Sequence, residues 1–499
     1  MTKTRAAVAG MTAAVVAVGL AELVAVLTGP RSAPIIAVGG WIVDHVPEGG
    51  KQLAIALFGV HDKTALLIGT GVLLLGFAAL IGLAARRRLA WGDAGIALFA
   101  FIGIAAALTR PDATVLWALP TLVGSAAAVV LLHFLVRREQ HAMADGVPEA
   151  DSRRQFLRIA GLTAAGAIVG GFVGRGVASI RGVAQARAQV RLPSPVSEAP
   201  SDVVTGYETS NATFYRIDTA LVVPQVDPET WRLRIHGMVN REVTVTFDEL
   251  LAMPMVERYV TLACVSNEVG GPLIGNARWL GVPVKDLLER AGVKAGADQV
   301  VQRSADGWNC GTPTSVLVDG RDSLLAVGMN GVPLPVEHGF PVRMVVPGLY
   351  GYVSACKWIT EIELTTFTAF DAYWVRRGWA QQAIIKTQSR IDLPRDGSER
   401  PAGAVTVAGV AWAQHRGIAR VEVRISTESA PGQWREAELL STVSPDTWRQ
   451  WRLTWDATPG EYQITVRATD ATGVTQIEQE APPEPDGATG WHTTFVTIQ

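Results

Sequence analysis

Four stretches of this chain, about residues 6–27, 64–85, 91–108 and 115–136, run almost without interruption through apolar side chains. Each is near the ~20 residues that carry an α-helix across a bilayer. Hydrocarbon offers the backbone no water, so each stretch is expected to satisfy its own N–H and C=O groups as a helix. A fifth run, about 159–180, is weaker and rich in Gly and Ala. Glu22 and His133 are the ionisable exceptions, and such groups inside a span mark packing or function. A buried haem needs axial ligands, usually His. His61 and His133 fall near opposite ends of the spans, so no haem is expected.

The composition agrees with a membrane portion. Of 499 residues, 48% are hydrophobic and only 18% charged, below the ~25% usual in soluble domains. Lys3 and Arg5, Arg86 to Arg88, Arg137 and Arg138, and Arg153, Arg154 and Arg158 all fall on one side if the N-terminus is cytoplasmic. Five spans then put everything after about residue 181 outside the cytoplasm. The Arg110-Pro111-Asp112 turn fits the outer side, and the 30–63 stretch reads as a loop of mixed charge. "SRRQFLR", Ser152 to Arg158, resembles the twin-arginine export signal, an address read by a receptor; the fifth helix is expected to remain as an anchor. The net charge of -2, with no basic block away from the spans, gives no reason to expect nucleic acid.

Beyond the Pro- and Ser-rich "QVRLPSPVSEAPSD" the pattern becomes globular. Short β-rich runs at 231–235, 242–246, 256–263 and 341–346 alternate with helical pieces. "TFDELLAM" carries a Thr cap with Glu three residues on, and "VPVKDLLERAGV" reads as a helix stopped at Gly292. After "LPRDGSERPAGA" come alternating strands, "VTVAGVAW", "ARVEVRIST", "YQITVRATD" and "HTTFVTI", with no helical period between them. They predict an antiparallel sandwich of immunoglobulin type. Trp412, Trp434, Trp448, Trp451, Trp455 and Trp491 are expected in its core or interfaces. The expected chain is multidomain: a four-helix transmembrane region at 1–140, the motif and anchor helix at 150–182, a linker at 183–205, an α+β domain at 206–392, and the sandwich at 393–499.

Cys264, Cys310 and Cys356 are the only cysteines. Three thiols make neither a disulfide scaffold nor a four-cysteine iron–sulfur site, and no C-x-x-C-H occurs. Cys264 ends a presumed strand before the polar loop "VSNEVGG". A thiol there is a soft metal ligand or a nucleophile, or simply a small buried hydrophobe. A nucleophile wants a base, and spacing does not say whether His236 or His338 supplies it.

Two long motifs carry more. "VTLACVSNEVGGPLIGNARWLGVPVKDLLERAG", Val260 to Gly292, and "MNGVPLPVEHGFPVRMVVPGLYGYVSACKWITEIEL", Met329 to Leu364, closely resemble the sulfite oxidase family of molybdopterin enzymes. The resemblance extends over about 211–499. It implies one molybdenum–molybdopterin per chain and no haem or iron–sulfur cluster. Cys264 matches the family's metal ligand. His338, Arg343, Ser354 and Lys357 match residues that grip the pterin and its phosphate, and Asp306 in "SADGW" matches a cofactor contact. Arg278 in "ARW" is either structural or a site residue. Cys310 and Cys356 are filler or an oxidised pair.

The chain also departs from the family. In "NATFYRIDTALVVP" the aromatic-basic group Phe214, Tyr215 and Arg216 stands without the Asn-His pair of animal and plant sulfite oxidases. Asn211 and Tyr215 are expected to approach the cofactor instead, as in a bacterial reductase branch. In "VRRGWA", Arg376 and Arg377 remain while Trp379 takes a tyrosine's place. Arg216 and Arg377 are the expected substrate-side cations, with Cys264 as the catalytic ligand.

The resemblance implies oxygen-atom transfer, with sulfite oxidation on the outer face of the cytoplasmic membrane as the leading activity. The alternatives are reduction of sulfoxides or other oxo compounds, or a cofactor-free binding module. The implied partners are a small oxyanion or sulfoxide, an electron carrier (cytochrome or quinone), the membrane, and a second copy of the chain through the sandwich.

Overall fold

A computed structural model describes residues 1–46, 50, 57, 62–110, 113–145, 148–180, 183–428 and 430–499. The chain forms two compact units. One comprises Met1–Gln185 with Thr219–Val223, the other Ala186–Asp218 with Pro224–Gln499.

The first unit is helical. Its described long helices are Lys3–Thr28, Asp62–Arg87, Leu89–Leu108, Leu119–Ala144 and Glu149–Ile180. Four described segments, Lys3–Thr28, Lys63–Arg87, Leu89–Leu108 and Val115–Ala142, are long and apolar enough to cross a membrane. The outside of this bundle is oily, with Leu73, Phe101 and Val130 each at least 65% exposed. Its inside is small. A Cβ on Gly10 would run into the backbone of Ala78, one on Gly124 into Ala17, and one on Gly19 into Ala167. Small residues at crossings let helix backbones approach where no water drives them together.

Several polar groups inside the bundle are paired. Arg5 Nη1 donates to Glu139 Oε2 at 2.7 Å and to Ser152 Oγ at 3.3 Å. Ser152 Oγ donates to Glu139 Oε1 at 3.1 Å. His133 Nε2 lies 2.7 Å from Asp93 Oδ1, so this histidine has a local partner. The Glu149–Ile180 helix runs unbroken through "SRRQFLR". Ser152 and Phe156 are buried, while Arg153 and Arg154 are exposed. The 30–63 stretch is not wholly loop, since Pro34–His45 is a helix started by its own proline. At 12 residues it is too short to span, and a search by length passes over it. His61 and the 111–112 part of the Arg110 turn lie outside the described residues.

The second unit begins within the short helix Ala184–Gln189, followed by chain that lies along a sheet edge. Val196 N donates to Met255 O at 2.7 Å, and Glu257 N to Ser197 O at 2.8 Å. One five-stranded sheet has the order Val243–Thr246, Arg232–Gly237, Ile359–Thr365, Gln299–Ser304, Asn309–Pro313. Another joins Val256–Ala263, Ile274–Pro283, Leu324–Met329 and Val332–Pro333, with Arg343–Val345 pairing to Leu324–Met329. Thr246 and Glu249 form the expected capping box of the helix Phe247–Leu251. The helix Val284–Ala291 buries Val284, Leu287, Leu288 and Ala291 and stops at Gly292 with φ 70°. This is an α+β arrangement around one core that includes Leu233, Val245, Leu287, Val300 and Ile362.

The C-terminal residues form two further sheets. One has the order Gln388–Leu393, Gly403–Trp412, Arg449–Ala457, Glu438–Leu439; the other Ser398–Arg400, His492–Ile498, Gly460–Asp470, Ile418–Ser426, Trp434–Glu436. They share a core of Val407, Val421, Trp451, Trp455, Ile464 and Val466. Trp412 and Trp448 belong to the α+β core instead. Trp434 and Trp491 are half-buried and meet edge to face at 5.1 Å, flanked by Arg424 and Arg467. These sheets brace the strand that leads to Cys264. Gln414 Nε2 donates to Thr261 O at 3.1 Å, and Trp448 N to Thr261 Oγ1 at 2.8 Å.

Candidate functional site

Cys264 is the first residue after the Val256–Ala263 strand. Its N–H donates to Leu273 O at 2.9 Å, and its carbonyl accepts from Asn267 N at 3.1 Å. Asn267 Oδ1 accepts from Leu273 N at 2.7 Å, so the loop closes on itself and holds the thiol. The side chain is buried. Burial pushes its pKa up, while N–H donors of Ser266 and Val265 and the Ser266 hydroxyl pull it down. Those donors are arranged to steady negative charge on sulfur. The phenols of Tyr215 and Tyr350 feel that charge. Both are raised well above the usual tyrosine value, by burial first, with Cys264 adding to it.

A cationic group shares Tyr215 as a neighbour with the thiol, since Cys264 and Arg343 both act on that phenol. Gly339, at φ 113°, is the hinge that lets it form. A Cβ there would lie 2.9 Å from Arg343 Cβ and 3.2 Å from Lys357 Cα. Arg343 is 5% exposed; it donates to His338 O at 3.2 Å and stands 5.0 Å over the Trp279 ring. Burial lowers its pKa to about 10, with Tyr215 opposing. His338 is lowered to about 4, by burial first and Arg343 next. It is therefore neutral at pH 7, and its Nε2–H donates to Asn211 O at 3.1 Å. Lys357 is lowered to about 8 by burial, against the pull of Asp218. Its Nζ donates to Asp218 Oδ2 at 2.7 Å and to Glu337 O at 3.2 Å. Asp218 also accepts from Arg216 Nε at 3.1 Å.

The fold thus joins Cys264, Tyr215, Arg343, His338, Asn211, Lys357 and Arg216 through shared contacts. Asn211 is fixed by Asn330, which donates to its Oδ1 at 2.8 Å. Ser354 is fully buried, and its hydroxyl donates to Tyr350 O at 3.0 Å and Leu349 O at 3.3 Å. Its proton is committed to the backbone, so in this arrangement it pins the loop and is not free to donate to a phosphate. Asp306 caps its own turn, accepting from Trp308 N at 3.0 Å. Arg377 sits on another loop, 3.6 Å over the Tyr373 ring and donating to Tyr373 O at 2.7 Å. Trp379 packs on Tyr352 and Trp374. Arg278 lies between Glu257 at 3.4 Å and Glu208 at 3.8 Å, an ion cluster. Cys310 and Cys356 are free, buried thiols, both raised by burial. Asp218 and Tyr350 are site neighbours that motif reading passed over. Asp218 stands two residues after Arg216, which was the available signal.

Residues 220–374 match the family described as oxidoreductase molybdopterin binding domain. The chain is 31% identical over 335 residues to the mitochondrial sulfite oxidase of Mus musculus, covering 57% of this chain and 60% of that one. It is 35% identical over 153 residues to the uncharacterized oxidoreductase YuiH of Bacillus subtilis, covering 31% of this chain and 74% of that one. The chain belongs to the sulfite oxidase family of molybdopterin oxidoreductases. It spans about three fifths of the length of its mammalian relatives. The sulfane dehydrogenase SoxCD of Paracoccus pantotrophus has a similar fold, with TM-score 0.52 at 22% identity over 63% of this chain and 89% of that one.

Within this sulfite oxidase-family chain, Cys264, Asp306, His338, Arg343, Ser354 and Lys357 lie inside the matched residues. Asn211, Tyr215 and Arg216 precede them and Arg377 follows. The donor set fits the group that the family binds. Among the described residues no cluster of three or more His, Cys, Asp or Glu side chains is placed to hold a metal. A metal at Cys264 therefore needs ligands from an organic partner, which a dithiolene provides. The buried cations Arg343 and Lys357 suit an anionic, hydrogen-bonding partner.

Proposed function

We propose that this chain is a membrane-anchored, molybdopterin-dependent oxidoreductase that transfers an oxygen atom and oxidises sulfite outside the cytoplasmic membrane. The observation that carries the reading is the buried Cys264 thiol, held by a closed loop and by donors from Val265 and Ser266, and linked through Tyr215 to Arg343, which contacts His338. Bound molybdopterin supplies two-electron oxygen transfer, and the protein supplies position and electrostatics. Cys264 is the metal ligand. Arg343 and Lys357 balance the phosphate, and neutral His338 orients the Asn211 segment. Tyr215, kept protonated by its surroundings, offers an O–H beside the sulfur. Arg216 and Arg377 attract an oxyanion. Asp306 is assigned as a second contact to the cofactor, with Ser354 pinning the separate 349–354 turn.

The wider layout is part of the proposal. Residues 1–140 and 150–182 cross the membrane, "SRRQFLR" directs export, 206–392 hold the cofactor, and 393–499 form an immunoglobulin-like sandwich able to pair two copies. Oily helix exteriors and arginine clusters on one side support it. A second reading, reduction of a sulfoxide, is favoured by Tyr215 beside Cys264 and by Trp379 in the tyrosine's place.

Metal and pterin analysis of the purified chain tests the cofactor. Turnover of sulfite with an artificial acceptor, set against methionine sulfoxide with a donor, separates the directions. Protein that is fully folded and exported yet free of molybdenum would leave the binding-module alternative standing.

A further inference from the structure

The helical unit has a half-open cavity of about 250 Å³, walled by small residues such as Gly10 and Ala17, by aliphatic residues such as Ile35 and Leu74, and by Phe77 and Phe99. Three hydroxyl residues, Thr70, Thr121 and Ser125, interrupt a mainly apolar lining. Thr121 lines the cavity and is 5% exposed, and its Oγ1 has no hydrogen-bond partner. A hydroxyl left unpaired in a low-dielectric interior is costly. A water would need two to four polar partners, and the lining is overwhelmingly apolar. An acyl chain fills space but accepts no hydrogen bond. A flat apolar ring bearing a carbonyl oxygen does both.

The size agrees. An apolar cavity of about 150 Å³ holds benzene, so this one takes a substituted ring. A neighbouring cleft of about 410 Å³ shares Ala14, Val18, Ile35 and Leu74 with it and reaches the buried carboxylate Glu22. The two together give room for a ring and the start of a tail. We infer that this cavity binds a lipophilic carbonyl compound of the quinone class, with Thr121 donating to one carbonyl. The inference rests on the membrane reading of these helices and not on the chemistry at Cys264.

Full-length protein in lipid nanodiscs, titrated with a short-chain benzoquinone against empty nanodiscs, tests it. The wild type binds saturably. Thr121→Val, which keeps the shape and loses the donor, weakens binding about tenfold, the scale of one hydrogen bond, while Thr121→Ser stays within about twofold. Ala14→Leu, which narrows both spaces, abolishes it. The assignment is overturned if Thr121→Val binds like wild type, or if an alkylbenzene of equal size without carbonyls competes equally well, which would mark a site for lipid tails. A chain that stays monodisperse without detergent or lipid would sink the membrane reading instead, whatever the quinone does.

Discussion

A single sulfur at position 264 organises the site because its loop is closed by its own hydrogen bonds. Cys264→Ser removes the soft ligand and keeps the loop. Molybdenum content is expected to fall with it, and turnover by roughly a thousandfold or more, as for other parts of a concerted assembly. Metal analysis beside steady-state kinetics reads both, and near-normal turnover in the serine variant would contradict the ligand role. His338 makes a second prediction. Its pKa is lowered from the ordinary 6.5 to about 4 in the fold, so between those values the unfolded chain takes up a proton that the native site refuses. Stability therefore falls as pH drops from about 6.5 towards 4, by roughly 3 kcal/mol in full. His338→Gln flattens that limb, followed as unfolding midpoints by tryptophan fluorescence. The metal-ligand candidate was legible because it sits in a long ordered motif. Asp218 was harder to read: Arg216 two residues before it is a local signal, but its bond to Lys357 spans 139 residues of sequence.

At the scale of elements, the helix carrying "SRRQFLR" has two faces with different work. Ser152 and Phe156 pack inward while Arg153 and Arg154 face out. Replacing both arginines by lysine leaves packing alone, so the folded protein keeps its stability. If the segment is an export address, that variant stays on the inner side; normal export of it would remove the twin-arginine reading. Arg5→Gln does the opposite. It strands Glu139, whose side chain is 3% exposed, and breaking a buried pair from one side costs about 3–5 kcal/mol. Thermal unfolding in detergent measures that loss. Caps were readable here, since Thr246 with Glu249 and the left-handed Gly292 depend on a few adjacent residues. The Pro34–His45 helix was not, because in an oily chain apolar content no longer separates a short helix from a loop. The indole pair Trp434 and Trp491 likewise looks like core by type, and becomes a half-buried cluster only when neighbouring strands bring Arg424 and Arg467 beside it.

The whole molecule obeys two opposite packing rules. In the second unit the large side chains go inside, and Trp231, Trp279, Trp358, Trp412 and Trp451 are all but fully buried. In the first, many large apolar groups face out, and glycine and alanine fill helix crossings. One solvent cannot favour both, since exposed apolar area costs ~25 cal/mol per Å² in water and nothing in hydrocarbon. The contrast argues for a chain divided between lipid and water, and the arginine clusters argue for which side is which. Protease added to intact spheroplasts is therefore expected to degrade the second unit and leave the apolar helices protected. The same protease added to inverted vesicles should spare the second unit. Digestion only in the inverted vesicles would put Cys264 in the cytoplasm and reverse the topology, while leaving its metal chemistry untouched.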